Sequence, residues 1–535
     1  MSTFKLDDRT IEFQPGDTVI QAAHRAGIDI PHYCWHPGLS VAANCRMCLV
    51  EVKPPPGRPA LMLSVLHWDE EQHEYVDQKK PKLQPACQLG ASEGMEVMSQ
   101  TSEHVARARA AVQELLLLNH PVDCPICDQA GECRLQDYWL EHQGTKKRMR
   151  DEVIHKPKAQ VFGPTIVYDA ERCIICTRCV RFSAEVAKDP VLDVRERGNL
   201  NEIVVSPGRE LDHPYTLMTE YVCPVGALTS RDFRFKARVW FLRSVRSVCV
   251  GCATGCNAFT DYDPRSQEVH RYRPRENLEV NQYWMCDEGM LDYRRIHDGR
   301  ILHARVEGER TSVEAAAKKA AKLLKGVPAD HIAVVLSAEH SNEDNFALLT
   351  LARDYLGTGH LFVSGRPSGE GDDVLRHRDK NPNTAGVTAM CTSTPPLSMP
   401  VLFKSLEEGR ITHVVALGSQ LPDADKAPGF RRCKALIAVS THDGPIPEHA
   451  SVVLPASSWA ESDGTFVSAN GLAQQSERAI RPLGDSQPAF RLVTALGAAL
   501  GHSLSFKQVA DVQRAMAPDA GAALEGNATP AGISP

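Results

Sequence analysis

The sequence predicts an α+β multidomain chain in which small cysteine-bearing domains precede a larger α/β domain. Three observations predict it. The chain has 535 residues, enough for several domains and more than one core. Fifteen of its 17 cysteines lie between Cys34 and Cys286, so the thiol chemistry belongs to the first half. Beyond about residue 300, buried-strand runs alternate with helical periods, and that alternation implies a mainly parallel sheet.

Composition excludes several classes. The formal net charge is −7, so no basic excess exists to neutralise nucleic-acid phosphates. A secreted disulfide scaffold is usually short, and this chain is long. The stretch Met1-Ser2-Thr3-Phe4-Lys5-Leu6-Asp7-Asp8 has no apolar signal core. No apolar run approaches membrane-spanning length. The expectation is a soluble chain in a reducing compartment, with any membrane link running through a partner.

Residues 1–98 read as a small β-rich domain. Phe4 to Leu6 and Ile11 to Phe13 form a hairpin about Asp7-Asp8. Asp17 is expected to cap a short helix with Val19, Ile20, Ala23 and Ala26 on its inner face, stopped by Gly27. Cys34, Cys45, Cys48 and Cys87 follow. Their C-x10-C-x2-C…C spacing lengthens the first loop of the plant-type [2Fe–2S] ferredoxin pattern, and a zinc site is the alternative for this segment alone. The strand Leu49 to Val52 suits a β-grasp. Residues 54–82 read as an insertion, either loop or long hairpin.

Residues 99–150 begin with a helix opened by Ser102, with Val105, Ala108, Val112, Leu115 and Leu116 at helical spacing. It stops at His120-Pro121. His120-x3-Cys124-x2-Cys127-x5-Cys133 then places four nitrogen and sulfur donors within fourteen residues. Zinc and a [4Fe–4S] cluster with one imidazole ligand both fit this segment alone, and its neighbours decide for iron.

Residues 151–241 hold the most specific motif. Cys173-Ile-Ile-Cys176-Thr-Arg-Cys179 supplies three thiols two residues apart, which suit a tight loop around a compact centre. Cys223-Pro224 completes the bacterial ferredoxin rule for [4Fe–4S]. A strand is expected at Glu202 to Val205. Arg178 and Arg181 lie beside the thiols; ordinary surface or ion-paired arginines are the simpler reading, and electrostatic support of the reduced cluster the sharper one. Residues 242–299 carry Cys249-x2-Cys252-x3-Cys256 and, after twenty-nine residues, Cys286. Gly251, Gly255 and Asn257 let that loop bend.

Residues 300–512 form the expected α/β domain. Strands are expected at His331 to Leu336, Leu361 to Val363, His413 to Leu417, Ala435 to Val439 and Val452 to Leu454, with a helix at Asn342 to Leu356. Gly418-Ser419 after a strand suits a phosphate or, more simply, a plain turn. No G-x-G-x-x-G in strand–turn–helix context and no P-loop occurs, so no nucleotide site is expected. Residues 513–535, rich in Ala, Gly and Pro, are expected to be disordered.

Fifteen cysteines and His120 fill four tetrads with none left over. In that order the chain resembles the large iron–sulfur subunits of bacterial respiratory complex I, the NADH-quinone oxidoreductases, over roughly residues 1–500. The resemblance implies a β-grasp [2Fe–2S] ferredoxin domain with ligands Cys34, Cys45, Cys48 and Cys87. It implies three [4Fe–4S] clusters, on His120, Cys124, Cys127 and Cys133; on Cys173, Cys176, Cys179 and Cys223; and on Cys249, Cys252, Cys256 and Cys286. The last is absent from many members and is thought to lie off the main electron path. From about 245 the chain resembles molybdopterin oxidoreductases such as formate dehydrogenase, through Trp284-Met285-Cys286-Asp287-Glu288-Gly289 and Val453-Leu454-Pro455-Ala456-Ser457-Ser458-Trp459-Ala460-Glu461. That domain is truncated relative to catalytic members, so no molybdopterin is expected.

The function so implied is electron relay from the flavin of an NADH-binding partner subunit toward quinone. The chain would sit on the cytoplasmic face of the inner membrane, touching it only through other peripheral-arm subunits, and would itself carry no catalytic residue. A molybdenum or tungsten enzyme such as an NAD-linked formate dehydrogenase is the alternative, with Cys391 and Cys433 its only candidate metal ligands. An iron hydrogenase would need further active-site cysteines beyond the fourth tetrad, which the two scattered ones do not supply, and a zinc-stapled interaction protein remains the bland reading.

Overall fold

Strand β1 (Ser2–Leu6) turns back on β2 (Arg9–Phe13) at Asp7, a non-glycine residue at φ 50°. Its side chain accounts for that conformation: Asp7 Oδ1 accepts the backbone N–H groups of Ser99 at 2.8 Å and Gln100 at 3.0 Å. This is a computed structural model, and it describes residues 2–516. The chain divides between Val239 and Trp240 into two units.

In the N-terminal unit, α1 (Val19–Arg25) is capped by Thr18 rather than Asp17. Thr18 forms a capping box with Gln21, whose Oε1 accepts the Thr18 N–H at 2.9 Å. Asp17 is taken up instead by Arg25, and that ion pair holds its carboxyl below the usual range. The buried face is Val19, Ile20, Ala22 and Ala23; Ala26 is exposed where the chain leaves the helix at Gly27, φ 70°. Strands β3 (Leu49–Lys53), β4 (Met62–Asp69), β5 (Glu74–Pro81), β6 (Gln84–Pro85) and β7 (Glu96–Met98) follow. The main sheet runs β2-β1-β7-β3-β6, with β1 and β7 parallel. Within residues 54–82 the insertion forms a long hairpin, in which β4 and β5 pair from Met62↔Pro81 to Asp69↔Glu74 as a sheet of their own.

Helix α2 (Glu103–Leu117) starts as expected at Ser102, whose hydroxyl accepts the Val105 N–H. Its buried stripe differs from the expected one. Val105, Arg109 and Gln113 face inward, whereas Leu115 is 66% exposed. The inward polar groups are satisfied largely by backbone: Arg109 donates to the Leu49 carbonyl at 3.2 Å and to Ser99 Oγ at 2.8 Å. Gln113 donates to the Leu135 carbonyl and accepts the Tyr33 hydroxyl. Then come α3 (Arg134–His142), β8 (Gln160–Val161), β9 (Ile166–Tyr168), α4 (Arg178–Glu185), β10 (Leu192–Arg195), β11 (Glu202–Val205), α5 (Leu217–Tyr221) and β12 (Leu228–Ser230). Strands β12-β9-β8 form one small sheet and β10-β11 another.

The second unit opens with a meander that the sequence reading missed, β13 (Arg243–Val248), β14 (Asn257–Asp263) and β15 (Glu268–Pro274), followed by the short α6 (Asp287–Leu291). Next are β16 (Ala304–Val306), β17 (Glu309–Thr311), α7 (Val313–Leu324), β18 (Ile332–Ser337), α8 (Asn342–Thr350), β19 (Leu361–Ser364), α9 (Thr384–Met390), α10 (Met399–Glu407), β20 (His413–Leu417), β21 (Ala435–Ser440) and β22 (Val452–Pro455). The α8 helix continues to Leu356 as a π-helical turn. The hairpin β23 (Gly464–Val467) and β24 (Ala473–Ser476), then α11 (Ala489–Ala499) and α12 (Val509–Met516), complete it.

The sheet β17-β16-β22-β21-β20-β18-β19 is parallel from β22 to β19, as the alternation implied. Each central strand feeds two cores. Ile332, Val334 and Leu336 of β18 enter one, and Ala333 and Val335 enter the other. Both faces are covered, so the strand reads as an unbroken apolar run rather than an alternating one. Helix α12 runs to Met516, past residue 513 where a disordered tail was expected; the rest of that segment lies outside the described residues. Leu336→Ala is expected to destabilise this unit by about 2–5 kcal/mol, read as a fall in its thermal unfolding midpoint.

Candidate metal centres

The cysteine-bearing loops of the N-terminal unit share one local device. Each needs sharp turns, and several turns fall on non-glycine residues with positive φ: Ala43 and Arg46 in the first, Val122 in the second, Ile175 and Thr177 in the third. Such conformations are uncommon outside glycine and concentrate where a loop is over-determined by what it holds. Backbone N–H groups also point at sulfur, in both units. Ile175 N lies 3.4 Å from Cys173 Sγ, Gly251 N 3.4 Å from Cys249 Sγ, and Gly289 N 3.3 Å from Cys286 Sγ.

The structure brings the first tetrad together as two thiol pairs. A hydrogen bond with Cys45 pulls the Cys34 thiol down, while the same bond and burial push Cys45 up. Cys87 and Cys48 divide in the same sense. The charge on Cys34 is felt by both Cys48 and Cys87, so the pairs adjoin. In the third tetrad, Cys173, Cys176, Cys179 and Cys223 line one small cavity walled by Tyr168, Ile203 and Leu228. Burial pushes Cys173, Cys176 and Cys223 up to about 11 and holds Cys179 well above the usual thiol range. The Tyr168 hydroxyl, an unforeseen participant, hydrogen-bonds Cys173 and also accepts the Ile203 N–H at 3.0 Å.

Around the second loop, burial pushes His120 down to about 4, which keeps its imidazole neutral, and its Nδ1 is buried with no hydrogen-bond partner. A neutral imidazole with a free ring nitrogen is the form that binds metal. Cys127 and Cys133 are raised by burial, Cys133 to about 12, and the charge on Cys124 is felt by both. In the second unit, Cys249, Cys252, Cys256 and Cys286 lie within one another's fields, and burial raises Cys249, Cys256 and Cys286. Gly289 is confined there: a Cβ would meet Cys249 Sγ at 3.0 Å and Cys286 Sγ at 3.4 Å. Thiols raised by burial ionise only beside a strong positive centre, and that is the role iron takes when thiolates ligate it. The chemistry of these donors fits iron–sulfur ligation, although among the described residues no three His, Cys, Asp or Glu side chains are gathered closely enough to hold a metal ion as they stand.

Within the N-terminal unit, the first and second tetrads both press on the third. Arg134 N donates to the Pro224 carbonyl at 3.1 Å, and Arg172, next to Cys173, holds Asp123, next to Cys124, at 2.6 Å. A Cβ on Gly226 would sit 2.7 Å from Cys127 Sγ. On the other side Asn44 Nδ2 donates to the Ile175 carbonyl at 3.0 Å. Arg178 is neither a surface nor an ion-paired arginine, which corrects the simpler reading. It is 6% exposed and donates to the carbonyls of Trp35 and Val222.

The second unit has a separate polar cavity at the carboxyl ends of β18, β20, β21 and β22, where His340, Ser419, Thr441 and Ser457 face Arg295 and Arg366. Gly418 turns there at φ 91°, and Ser419 lines the cavity. Cys391 and Cys433 are elsewhere. Cys391 is in one core of the sheet and Cys433 packs against the other, as small hydrophobes. Buried Arg300 and Glu461, 2.6 Å apart, anchor the segment that carries Trp459.

Comparison with known proteins decides the family. Residues 1–102 match a 2Fe-2S iron-sulfur cluster binding domain, and 109–148 match the NADH-ubiquinone oxidoreductase-G iron-sulfur binding region. Residues 163–229 match the ferredoxin-like domain of NADH-quinone oxidoreductase subunit 3, and 305–499 match molybdopterin oxidoreductase. The G subunit of the Streptomyces coelicolor NADH-quinone oxidoreductase is 32% identical over 76% of this chain and 47% of its own length. The Rickettsia conorii G subunit is 35% identical over 68% of this chain and 50% of its own length. Subunit 3 of the Thermus thermophilus NADH-quinone oxidoreductase is 34% identical over 68% and 48%. The chain belongs to the G-subunit family of NADH-quinone oxidoreductases. It carries that family's 2Fe-2S and 4Fe-4S binding regions, and it spans about half the length of the curated relatives it matches. Among the described residues, no helix is long and apolar enough to cross a membrane.

The close approach at Gly226 makes a direct test. If His120, Cys124, Cys127 and Cys133 hold iron, Gly226→Ala is expected to displace the Cys127 sulfur and lower that iron, while iron held at Cys249, Cys252, Cys256 and Cys286 in the other unit persists.

Proposed function

We propose that this chain is an electron-relay subunit of a respiratory NADH:quinone oxidoreductase, holding one [2Fe–2S] and three [4Fe–4S] clusters. Cys34, Cys45, Cys48 and Cys87 would hold the first. His120, Cys124, Cys127 and Cys133; Cys173, Cys176, Cys179 and Cys223; and Cys249, Cys252, Cys256 and Cys286 would hold the others. When bound, such clusters take up and release single electrons, here from the flavin of an NADH-binding partner subunit toward quinone. The chain's own residues bury the sulfur ligands, aim N–H groups at them and keep His120 neutral. No side chain of this chain is assigned a proton-transfer or nucleophilic step.

The observation that carries this reading is the contact of the Cys173 loop with both the Cys34 and Cys124 loops. It supports a linear order in which the Cys173 tetrad stands between the other two. We put the domain boundaries at 98, 150, 241 and 299; the division of the chain into two units, between Val239 and Trp240, lies beside the third of these. We assign the Cys249 tetrad no step of that path, as the family resemblance implies. We read the α/β domain as a scaffold rather than a molybdenum or tungsten enzyme, because both candidate ligands, Cys391 and Cys433, are packed into the cores of its sheet as small hydrophobes. The chain would reach the inner membrane, on its cytoplasmic face, only through other peripheral-arm subunits.

Three measurements test this. Anaerobically purified chain should carry about fourteen irons, with one [2Fe–2S] and three [4Fe–4S] EPR signatures; zinc without acid-labile sulfide would refute it. His120→Cys should keep its cluster but lower that potential, because a thiolate adds negative charge where the imidazole had none. Cys249→Ser should remove one cubane while the assembled enzyme keeps much of its NADH-to-quinone activity. Complete loss of activity with the other clusters intact would contradict the off-line placement.

A further inference from the structure

Helix α4 begins inside the Cys173 loop and carries Arg178, Arg181 and Glu185 at spacings of three and four residues, so they stack on one face. All three reach the Cys34–Cys45 loop. Arg178 donates to the carbonyl of Trp35, the residue after Cys34, and to that of Val222, the residue before Cys223. Arg181 donates to the carbonyls of Cys34, Ser40 and Cys176. Glu185 accepts the Ser40 N–H at 2.9 Å and also the Ser40 hydroxyl.

The helix therefore straps one sulfur-bearing loop to the other through carbonyls, and carbonyls leave the cations uncompensated. Neither arginine meets a carboxylate among the described residues, and Arg178 Nε is buried without a partner. A buried guanidinium with no anion is strongly destabilising unless negative charge arrives from elsewhere. Sulfur ligands are such sources. The charges on Cys176 and Cys45 act on Arg178, and Arg181 acts on both Cys34 and Cys176. Each cation thus faces ligands of two different tetrads.

Resting on the cluster assignment above, we propose that Arg178 and Arg181 form a shared cationic strap that sets the reduction potentials of the Cys34 and Cys173 centres together. One-electron reduction adds one negative charge to a centre. A fixed positive charge in a poorly screened interior favours that reduced state. Arginine keeps its proton, so the strap is a permanent field and takes no part in the electron transfer itself. A cation held between two centres lifts both. These are positioning residues, because they touch ligand loops and not the reacting atoms.

The test uses the full chain, purified anaerobically, with iron and sulfide counting and EPR-monitored redox titration. Arg178→Met should retain iron and move the [2Fe–2S] signal and one [4Fe–4S] signal to lower potential. The expected size is about tenfold in each reduction constant, or about 59 mV for one electron. The other two cubane signals should hold, and Arg178→Lys should restore part of the shift. Full iron with both potentials unmoved, or with only one moved, overturns the strap. If Arg178→Met loses iron, the half-buried Arg181→Met decides by the same criterion. Wild-type chain without iron would overturn the cluster assignment itself, a result the iron count separates from failure of the strap.

Discussion

Charge buried away from water has to be met by other charge, and that constraint organises the N-terminal unit. The thiols of the Cys173 tetrad are raised by burial, the His120 ring is held neutral by it, and Arg178 sits unpaired among them. Separately each group is destabilising. Together they would be compatible around a bound cluster, whose ligands are thiolates and would give the guanidinium an anion. The loops pay for this with left-handed non-glycine residues, Ile175 and Thr177 flanking Cys176 itself. Folding and cluster insertion are coupled on this account, since the loops have little reason to hold such turns around an empty cavity.

The tetrads were legible in the sequence because ligand spacing is a local property. Three thiols two residues apart admit few geometries whatever surrounds them. Strands such as β18 and β20 were legible for a similar reason: both faces are covered, so their whole length is apolar. Other features depended on distant partners. The inward face of α2 is polar because Arg109 and Gln113 find backbone carbonyls at Leu49 and Leu135, and no periodicity announces that. The apolar stripe through Leu115 was a fair reading of the helix and a wrong one of its surroundings. Arg178 was misjudged likewise, because its burial is decided by Trp35, 143 residues away in sequence. The Thr18 cap illustrates a smaller ambiguity: two adjacent capping residues compete, and Arg25 removes Asp17 from the contest.

The α/β unit shows a different balance. Its cavity lies where open parallel sheets present ligand crevices, at the carboxyl ends of the strands. The lining is polar, and its acids and bases mostly answer one another: Arg366 with Glu339 at 3.3 Å, Arg295 with Asp292 at 2.6 Å. His340 is bonded through both ring nitrogens, to Ser337 and Thr441. Groups already satisfied internally gain little from a ligand. The hydroxyls of Ser457 and Ser458 and the Nε of Arg366 are left without a hydrogen bond, and ordered water can satisfy those.

That balance also bears on how the second unit is joined to its own tetrad. Arg366 reaches from the cavity wall to the Val250 carbonyl, inside the Cys249 loop, and Ala253 N donates to the Asp379 carbonyl at 2.9 Å. Gln474 of β24 donates to the Gly255 carbonyl at 2.8 Å and accepts from Asn257, closing the loop from the opposite side. The Cys249 loop is thus held by the α/β sheet's connections and the β23–β24 hairpin. Even where no substrate chemistry is drawn from the α/β unit, removing it would unmake the fourth tetrad. Supporting that loop is a physical role for a domain that resembles an enzyme.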